Sequence, residues 1–242
     1  MLNISINQLI NINIMETKVW TYTLSIERKH LILINEDNKR LLIDTGSPMN
    51  LGASFMLCGE LQTSSNIGMM NQIRELSGLE LDGLIGMSSL RRYHILLDVP
   101  SKKIQFSNKP FSLVGSEVKM RSVFGIICFD ATVDVDKKIS VLFDTGAPVS
   151  YLNPEIVPDY VPIDHIEDFH PSLGRYNVDL LPEMVFEVGY HQFPVSFGIL
   201  PQTPLSGLAN MLSDAIVGWD LFHRSIIELD FDSNRMIIDP LV

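Results

Sequence analysis

The chain has 242 residues, of which 46% are hydrophobic and 19% are charged, and its formal net charge is −11. A chain this apolar can offset the entropy lost on ordering, which argues against a disordered protein. The excess of acidic residues, with no basic run, argues against a nucleic-acid surface, whose affinity comes largely from neutralising phosphates. No stretch approaches the roughly 18 consecutive apolar residues of a membrane-spanning helix, so we expect no membrane association.

The N-terminal segment predicts neither a folded element nor a secretory signal. It contains no Lys or Arg, no continuous apolar run and no small-residue cleavage site, so we expect residues 1–16 to form an extension. Cys58 and Cys128 show no metal-ligand spacing and are too few for a disulfide framework. Each is therefore predicted to be a small buried thiol. Together these features favour a cytoplasmic protein.

Short apolar runs rich in branched residues follow, and turn-forming clusters separate them. Such runs predict β-strands over residues 19–24, 31–34 and 41–43. The clear helical candidate in the first half is a short turn over residues 88–93, and no long stretch keeps a helical period. The sequence therefore predicts an all-β protein with short helices.

The chain contains two copies of one unit. Residues 41–48, with Asp-Thr-Gly at their centre, recur 100 positions later as residues 141–148. A second block, residues 82–106, recurs 132 positions later as residues 214–238, and seven of its 25 positions are identical. The second copy therefore carries 32 additional residues between its two blocks.

The boundary between the copies lies in a segment that contains Pro110, Gly115 and several polar residues. We therefore expect an N-terminal lobe over residues 17–110 and a C-terminal lobe over residues 111–242, related by a pseudo-twofold axis. Each lobe then contributes one Asp-Thr-Gly loop.

Each copy places Asp-Thr-Gly at the end of an apolar strand. Glycine allows a sharp turn and a close approach to another backbone, so two such loops facing each other bring their carboxyls together. Two carboxyls that close cannot both ionise, and the pair shares a proton. Its carboxylate can then deprotonate a water while its acid hydrogen-bonds a carbonyl under attack. The pattern predicts hydrolysis by general acid–base catalysis.

The two loops resemble those of the aspartic peptidases of the pepsin and retropepsin superfamily, and the resemblance covers roughly residues 17–238. It implies a bilobal acid-protease fold in which Asp44 and Asp144 are the catalytic pair of an aspartic endopeptidase. It also implies that Thr45 and Thr145 hydrogen-bond across to the opposite loop.

Further positions match the same family pattern. The resemblance implies that Gly46 and Gly146 place backbone N–H groups near the carboxyls. Residues 84–86 and 216–218 match the apolar-apolar-Gly strand that crosses beneath each catalytic loop, and residues 88–90 and 220–222 match the short helix that follows it.

The residues that follow the two glycines differ. Ser47 is pepsin-like and is expected to donate a hydrogen bond to Asp44, whereas Ala147 is retropepsin-like and cannot donate one to Asp144. Because a donor to the charged form lowers a carboxyl pKa, Asp44 is predicted to be the more readily ionised of the pair.

In this family a hairpin called the flap closes over the substrate and excludes water. Only 35 residues separate Gly46 from Asp82, which is short for a full first-lobe flap, and residues 62–78 contain no Tyr. In the second copy, residues 184–188 and 193–197 predict a hairpin. It is either a flap-like hairpin on the opposite lobe or an ordinary core hairpin.

Other interpretations remain open at this point. Asp44 and Asp144 could be turn residues that follow strands, since Asp commonly begins a turn. A catalytically inactive relative could use the interlobe cleft to bind a peptide or protein partner. The first-lobe flap is expected to separate the two, because an enzyme needs a cover over its aspartates and a binding module does not. A homodimer is less favoured because both halves lie in one chain, so we expect a monomer.

Among the six histidines, ligand-like spacing is limited to His165 and His170. They lie in a Pro- and Asp-rich segment, residues 154–171, that predicts a solvated loop, so we expect neither a metal nor a cofactor. The expected partner is a peptide or protein substrate, with no nucleic acid.

Overall fold

The computed structural model describes residues 16–200 and 212–241 of the chain. The expected N-terminal extension, residues 1–16, lies outside the described residues except for its last residue. Within the described ranges the protein is mostly β, with short helices and two lobes, which confirms the all-β bilobal architecture predicted from the sequence.

The first lobe begins with a meander and ends with a hairpin. Its strands are β1 (Val19–Glu27), β2 (His30–Ile34), β3 (Arg40–Ile43), β4 (Leu51–Gly52), β5 (Phe55–Leu57), β6 (Glu60–Gln62), β7 (Gly83–Ile85), β8 (His94–Asp98) and β9 (Lys103–Ser107). Its helices are α1 (Ile67–Ser77) and α2 (Met87–Leu90). Helix α2 lies where the sequence predicts a short helix.

The second lobe repeats this order and adds hairpins. Its strands are β10 (Ser116–Lys119), β11 (Arg121–Val123), β12 (Ile126–Val133), β13 (Lys137–Phe143), β14 (Tyr151–Leu152), β15 (Asp164–His170), β16 (Gly174–Leu180), β17 (Met184–Val188), β18 (His191–Val195), β19 (Gly198–Ile199), β20 (Ala215–Val217), β21 (Ser225–Asp230) and β22 (Arg235–Pro240). Helix α3 (Trp219–Phe222) follows β20, and a 3-10 turn spans Pro154–Ile156. The predicted lobe boundary falls in the connection between β9 and β10.

The two lobes use the repeated sequence blocks in the same way. Strand β3 pairs in parallel with β7, and Leu42 lies opposite Leu84. Strand β13 pairs in parallel with β20, and Leu142 lies opposite Ile216. Leu42 and Leu142 are separated by the 100-residue offset of the first block, and Leu84 and Ile216 by the 132-residue offset of the second. The two blocks therefore form one structural unit that occurs once in each lobe.

The lobes are joined by one continuous sheet. Strand β8 of the first lobe pairs antiparallel with β21 of the second, and Leu96 lies opposite Glu228. Since these two residues are equivalent in the repeat, the pseudo-twofold axis passes between them. The core is also shared between the lobes: one cluster of buried residues runs from Tyr22 in β1 to Ile238 in β22.

Helix α1 was not expected from the sequence. Asn66 caps it by accepting a hydrogen bond from the N–H of Met69, and Gly78 ends it in a left-handed conformation with φ of 64°. The buried positions Met70, Ile73 and Ser77 do follow a helical spacing, but one of them is polar, so the hydrophobic period is weak. The helix occupies the segment in which a first-lobe flap would lie.

The predicted hairpin of the second copy is an ordinary part of the sheet. Strands β17 and β18 pair with each other, and β17 continues the sheet by pairing with β12. Phe186 and Phe193 are buried in the core. Of the two interpretations left open by the sequence, the core hairpin is the one that the structure shows.

Residues 154–171 do not form the solvated loop that the sequence predicted. Their second half is strand β15, which forms a long hairpin with β16. The polar residues on both faces of β15 hide the alternation that would identify a strand, and this hairpin occupies part of the additional length of the second copy.

Candidate active site

The two Asp-Thr-Gly loops meet between the lobes. The N–H of Asp44 donates to the carbonyl of Ile85 at 3.0 Å, and the N–H of Asp144 donates to the carbonyl of Val217 at 2.9 Å. Each aspartate therefore continues the parallel ladder of its own lobe. This anchoring fixes the place at which each strand delivers its carboxyl.

The threonines tie the loops together across the interface. The hydroxyl of Thr45 donates to the carbonyl of Phe143 at 2.7 Å and accepts from the N–H of Thr145 at 2.9 Å. In return, the hydroxyl of Thr145 donates to the carbonyl of Ile43 at 2.9 Å and accepts from the N–H of Thr45 at 3.0 Å. Both threonines are buried. The cross-lobe bonds expected of them are present, and each lobe holds the other loop in place.

The glycines of the motif are required by space. A Cβ on Gly46 would overlap the carboxyl of Asp144, and a Cβ on Gly146 would overlap that of Asp44. The N–H of Gly146 donates to Asp144 Oδ1 at 2.8 Å. Each loop thus passes directly against the carboxyl of the other, which brings the two aspartates together as predicted.

The apolar-apolar-Gly strands need their glycines for the same reason. A Cβ on Gly86 would overlap the carbonyl oxygen of Met49, and a Cβ on Gly218 would overlap that of Ala147. The residue after each glycine donates its N–H to the loop above: Met87 to Ser47, and Trp219 to Ala147. These contacts support each Asp-Thr-Gly loop from below.

The two carboxyls titrate differently. Burial raises the pKa of Asp44, and the negative charge of Asp144 raises it further. Burial also raises the pKa of Asp144, but the N–H of Gly146, contact with the Asp44 carboxyl and the N–H of Gly46 oppose that rise. Asp144 is therefore the member that ionises first, and Asp44 retains the shared proton.

This order is the reverse of the one predicted from Ser47. The Ser47 hydroxyl donates to the carbonyl of Met49 at 2.8 Å and does not bond to the Asp44 carboxyl. The hydrogen bond on which the prediction for Asp44 rested is therefore absent, because the Ser47 side chain turns away into its own loop. Ala147, which is buried, has no side-chain donor to offer Asp144.

A cavity of about 420 Å³ contains both aspartates. Its apolar walls come in pairs that the repeat relates: Leu42 with Leu142, Pro48 with Pro148, Leu51 with Tyr151, and Leu84 with Ile216. Helix α1 contributes Met69 and Ile73 on the first-lobe side. The cavity is thus an apolar cleft with two acidic groups on its pseudo-twofold axis.

The β15–β16 hairpin forms another wall of this cavity. Phe169, Pro171 and Leu173 near its tip line the same space as the aspartates. The hairpin reaches across to the first lobe, where Arg175 Nη2 donates to the carbonyl of Leu76 in α1 at 2.7 Å. The hairpin therefore lines the cavity from the second lobe and contacts helix α1 of the first lobe.

Sequence reasoning missed several polar residues of the cleft. His30, Asp168, His170 and Tyr176 all line the cavity, and Asp168 accepts a hydrogen bond from the hydroxyl of Tyr151. A period of two along residues 166–170 would have placed Asp168 and His170 on one face, but only the fold shows that this face meets the cleft. No signal in the sequence placed His30 there.

The two histidines with ligand-like spacing lie apart. His165 is exposed and its Nδ1 contacts Asp179 Oδ1 at 2.8 Å across the hairpin, whereas His170 faces the cavity. Within residues 16–200 and 212–241, no group of three or more His, Cys, Asp or Glu is arranged to hold a metal ion. Helices in the same ranges are too short or too polar to cross a bilayer.

Comparison with known proteins gives no assignment. No protein-family model matches the chain, and no curated protein matches its sequence. The functional interpretation therefore rests on the residues and geometry described above.

Proposed function

We propose that the chain is an aspartic endopeptidase, related in architecture to the pepsin and retropepsin superfamily. The observation that carries this proposal is the paired geometry of the Asp-Thr-Gly loops. Four reciprocal threonine hydrogen bonds hold together the two loops, whose half-buried carboxyls line one cleft. Turn formation alone would require neither the reciprocal bonds nor the asymmetric titration of the two aspartates.

The proposed reaction uses the two carboxyls in different roles. The Asp144 carboxylate removes a proton from a water, which attacks the peptide carbonyl carbon, while the Asp44 acid donates a hydrogen bond to the carbonyl oxygen. The tetrahedral intermediate collapses when the peptide nitrogen receives a proton and the C–N bond breaks. The products are one carboxyl and one amino terminus, and the pair is left sharing one proton.

The β15–β16 hairpin is proposed to act as the flap. Exclusion of bulk water strengthens hydrogen bonds between the carboxyls and the reacting carbonyl. The cleft between the lobes suits an extended peptide, whose apolar side chains would contact the walls formed by Leu42, Leu142 and their neighbours. We also propose a reducing compartment, such as the cytoplasm, since Cys58 and Cys128 are both free and buried.

A peptide-library digest read by mass spectrometry, over a range of acid to neutral pH, tests the proposal. The wild-type protein is compared with Asp44→Asn and Asp144→Asn, and circular dichroism establishes that both variants are folded. We expect cleavage by the wild type and none by either variant. Absence of cleavage by the folded wild type at every pH would contradict the proposal and leave the cleft as a peptide-binding site.

A further inference from the structure

Among Asp, Glu, Lys and Arg, the side chains that line the cleft are all acidic. Asp44, Asp144 and Asp168 face the cavity, and no Lys or Arg of the described residues lines it. Residues 1–15 and 201–211, which lie outside the described ranges, contain no Asp, Glu, Lys or Arg. Their side chains therefore carry no formal charge. A cleft of one sign of charge with apolar walls concentrates ligands of the opposite sign.

His30 presents an unpaired acceptor to the same cavity. The residue is only 4% exposed and lines the cleft. Its Nδ1 lies 2.9 Å from the carbonyl of Arg28. A carbonyl can only accept, so Nδ1 carries the proton and Nε2 of the neutral ring is an acceptor. Nε2 makes no hydrogen bond to the described residues. Burial lowers the pKa of His30, so the ring is neutral near neutral pH.

Asp168 lines the same cavity and is held in place by its own hairpin. It is 8% exposed, and it accepts hydrogen bonds from the Tyr151 hydroxyl and from the N–H of Phe169. The Phe169 ring stacks on the His30 ring, with centroids 6.3 Å apart. Asp168 is also the charged group that acts most strongly on His30. His30 of the first lobe and Asp168 of the second lobe therefore line the same cleft.

A ligand group that satisfies both acceptors must bring N–H donors and a positive charge. An ammonium or a guanidinium does so, and its alkyl stem suits the apolar walls beside it. An apolar side chain at the same place would leave the Asp168 carboxyl without a counter-ion and His30 Nε2 without a donor, which is unfavourable.

We propose that this cleft selects peptides with a lysine or arginine side chain placed between His30 and Asp168. The inference rests on the proposed peptidase function and names the substrate class of that same site. It assigns a specificity role to two residues that lie outside the Asp-Thr-Gly loops.

The test uses matched synthetic peptides in which lysine or norleucine occupies each position around the scissile bond in turn. Norleucine keeps the length of the lysine stem and removes the charge. At one position, we expect the wild type to prefer lysine in kcat/KM by at least about tenfold, the size of one charge-assisted hydrogen bond. The ratio should fall towards unity in Asp168→Asn. It should persist in Asp164→Asn, which removes an exposed charge from the same strand.

Two outcomes would overturn the inference. One is a wild type that shows no lysine preference at any position. The other is a preference that survives in folded Asp168→Asn. If Asp168→Asn does not fold, His30→Gln replaces it, with a several-fold fall in the ratio expected and an unchanged ratio contradicting the inference.

A binding measurement distinguishes failure of the peptidase proposal from failure of the inference about lysine and arginine. If no peptide is cleaved, fluorescence anisotropy compares binding of the same labelled peptides to the wild type. Tighter binding of a lysine peptide would support the inference while the peptidase proposal fails. Equal binding, or none, would overturn both.

Discussion

The raised pKa of Asp44 makes the native state less stable near neutral pH. Burial raises the pKa of Asp44 well above the ordinary value of an aspartic acid. A carboxyl whose pKa is raised by folding contributes stability that is fully present below the unfolded-state pKa. That stability is lost as pH rises from there through the folded-state pKa, because the unfolded state releases its proton first. Near neutral pH, the demand for a shared proton therefore weakens the native state.

Asp44→Asn should for this reason be more stable than the wild type near neutral pH. The amide stays neutral at every pH, so we expect a Tm a few degrees higher. Below about pH 4, where the unfolded-state carboxyl is also protonated, the difference should disappear. Thermal unfolding at several pH values measures both effects, with the exposed Asp164→Asn as control. A wild type as stable as Asp44→Asn near neutral pH would contradict the assigned protonation.

At the scale of elements, the supports beneath the loops depend on glycine. Gly218 follows β20 and passes against the carbonyl of Ala147, which also accepts a hydrogen bond from Trp219. A side chain there would displace the loop that carries Asp144. Gly68 in α1 is a suitable comparison, because the nearest atom to an added Cβ is 3.8 Å away and its φ is not positive.

We expect Gly218→Ala to destabilise the fold by about 1–3 kcal/mol, the usual cost of forcing atoms into a packed site. Gly68→Ala should instead be neutral or stabilise by up to about 1 kcal/mol, since alanine favours a helix. Urea unfolding of both variants gives these free energies. Equal effects would show that the loop tolerates a Cβ, contrary to the geometry.

The elements also show what the sequence could reveal. The paired strands β3–β7 and β13–β20 were predictable because each copy repeats a local apolar pattern that ends in a fixed motif. The place of the β15–β16 hairpin in the cleft was not predictable, because β15 has polar residues on both faces and the hairpin is positioned by a contact with α1 in the other lobe. Likewise, the direction of the Ser47 hydroxyl depends on the local turn and not on its residue type.

At the scale of the molecule, the two lobes share both a sheet and a core. Strands β8 and β21 pair across the boundary, and one buried cluster includes residues of both lobes. Each lobe therefore contributes one aspartate of the pair, but the two lobes are not independent folding units. The proposed site lies on the axis of this shared structure, which explains why each lobe alone would present an incomplete pair.

We expect the protein to unfold in a single cooperative transition. Near-ultraviolet circular dichroism, which reports tertiary packing, and far-ultraviolet circular dichroism, which reports the sheets, should give the same urea midpoint. Two separated transitions would contradict a shared core and indicate that the lobes fold independently.

The central claim is that Asp44 and Asp144 act together on a peptide bond, and its most direct test is kinetic. The best-cleaved library peptide is hydrolysed by the wild type, Asp44→Asn and Asp144→Asn, and kcat/KM is measured across pH. For the wild type, we expect activity that falls when the pair loses its shared proton, at a pH above the ordinary range of carboxyls. Each variant should lose at least about 100-fold in kcat/KM at every pH. A folded variant that retains wild-type kcat/KM would contradict the claim.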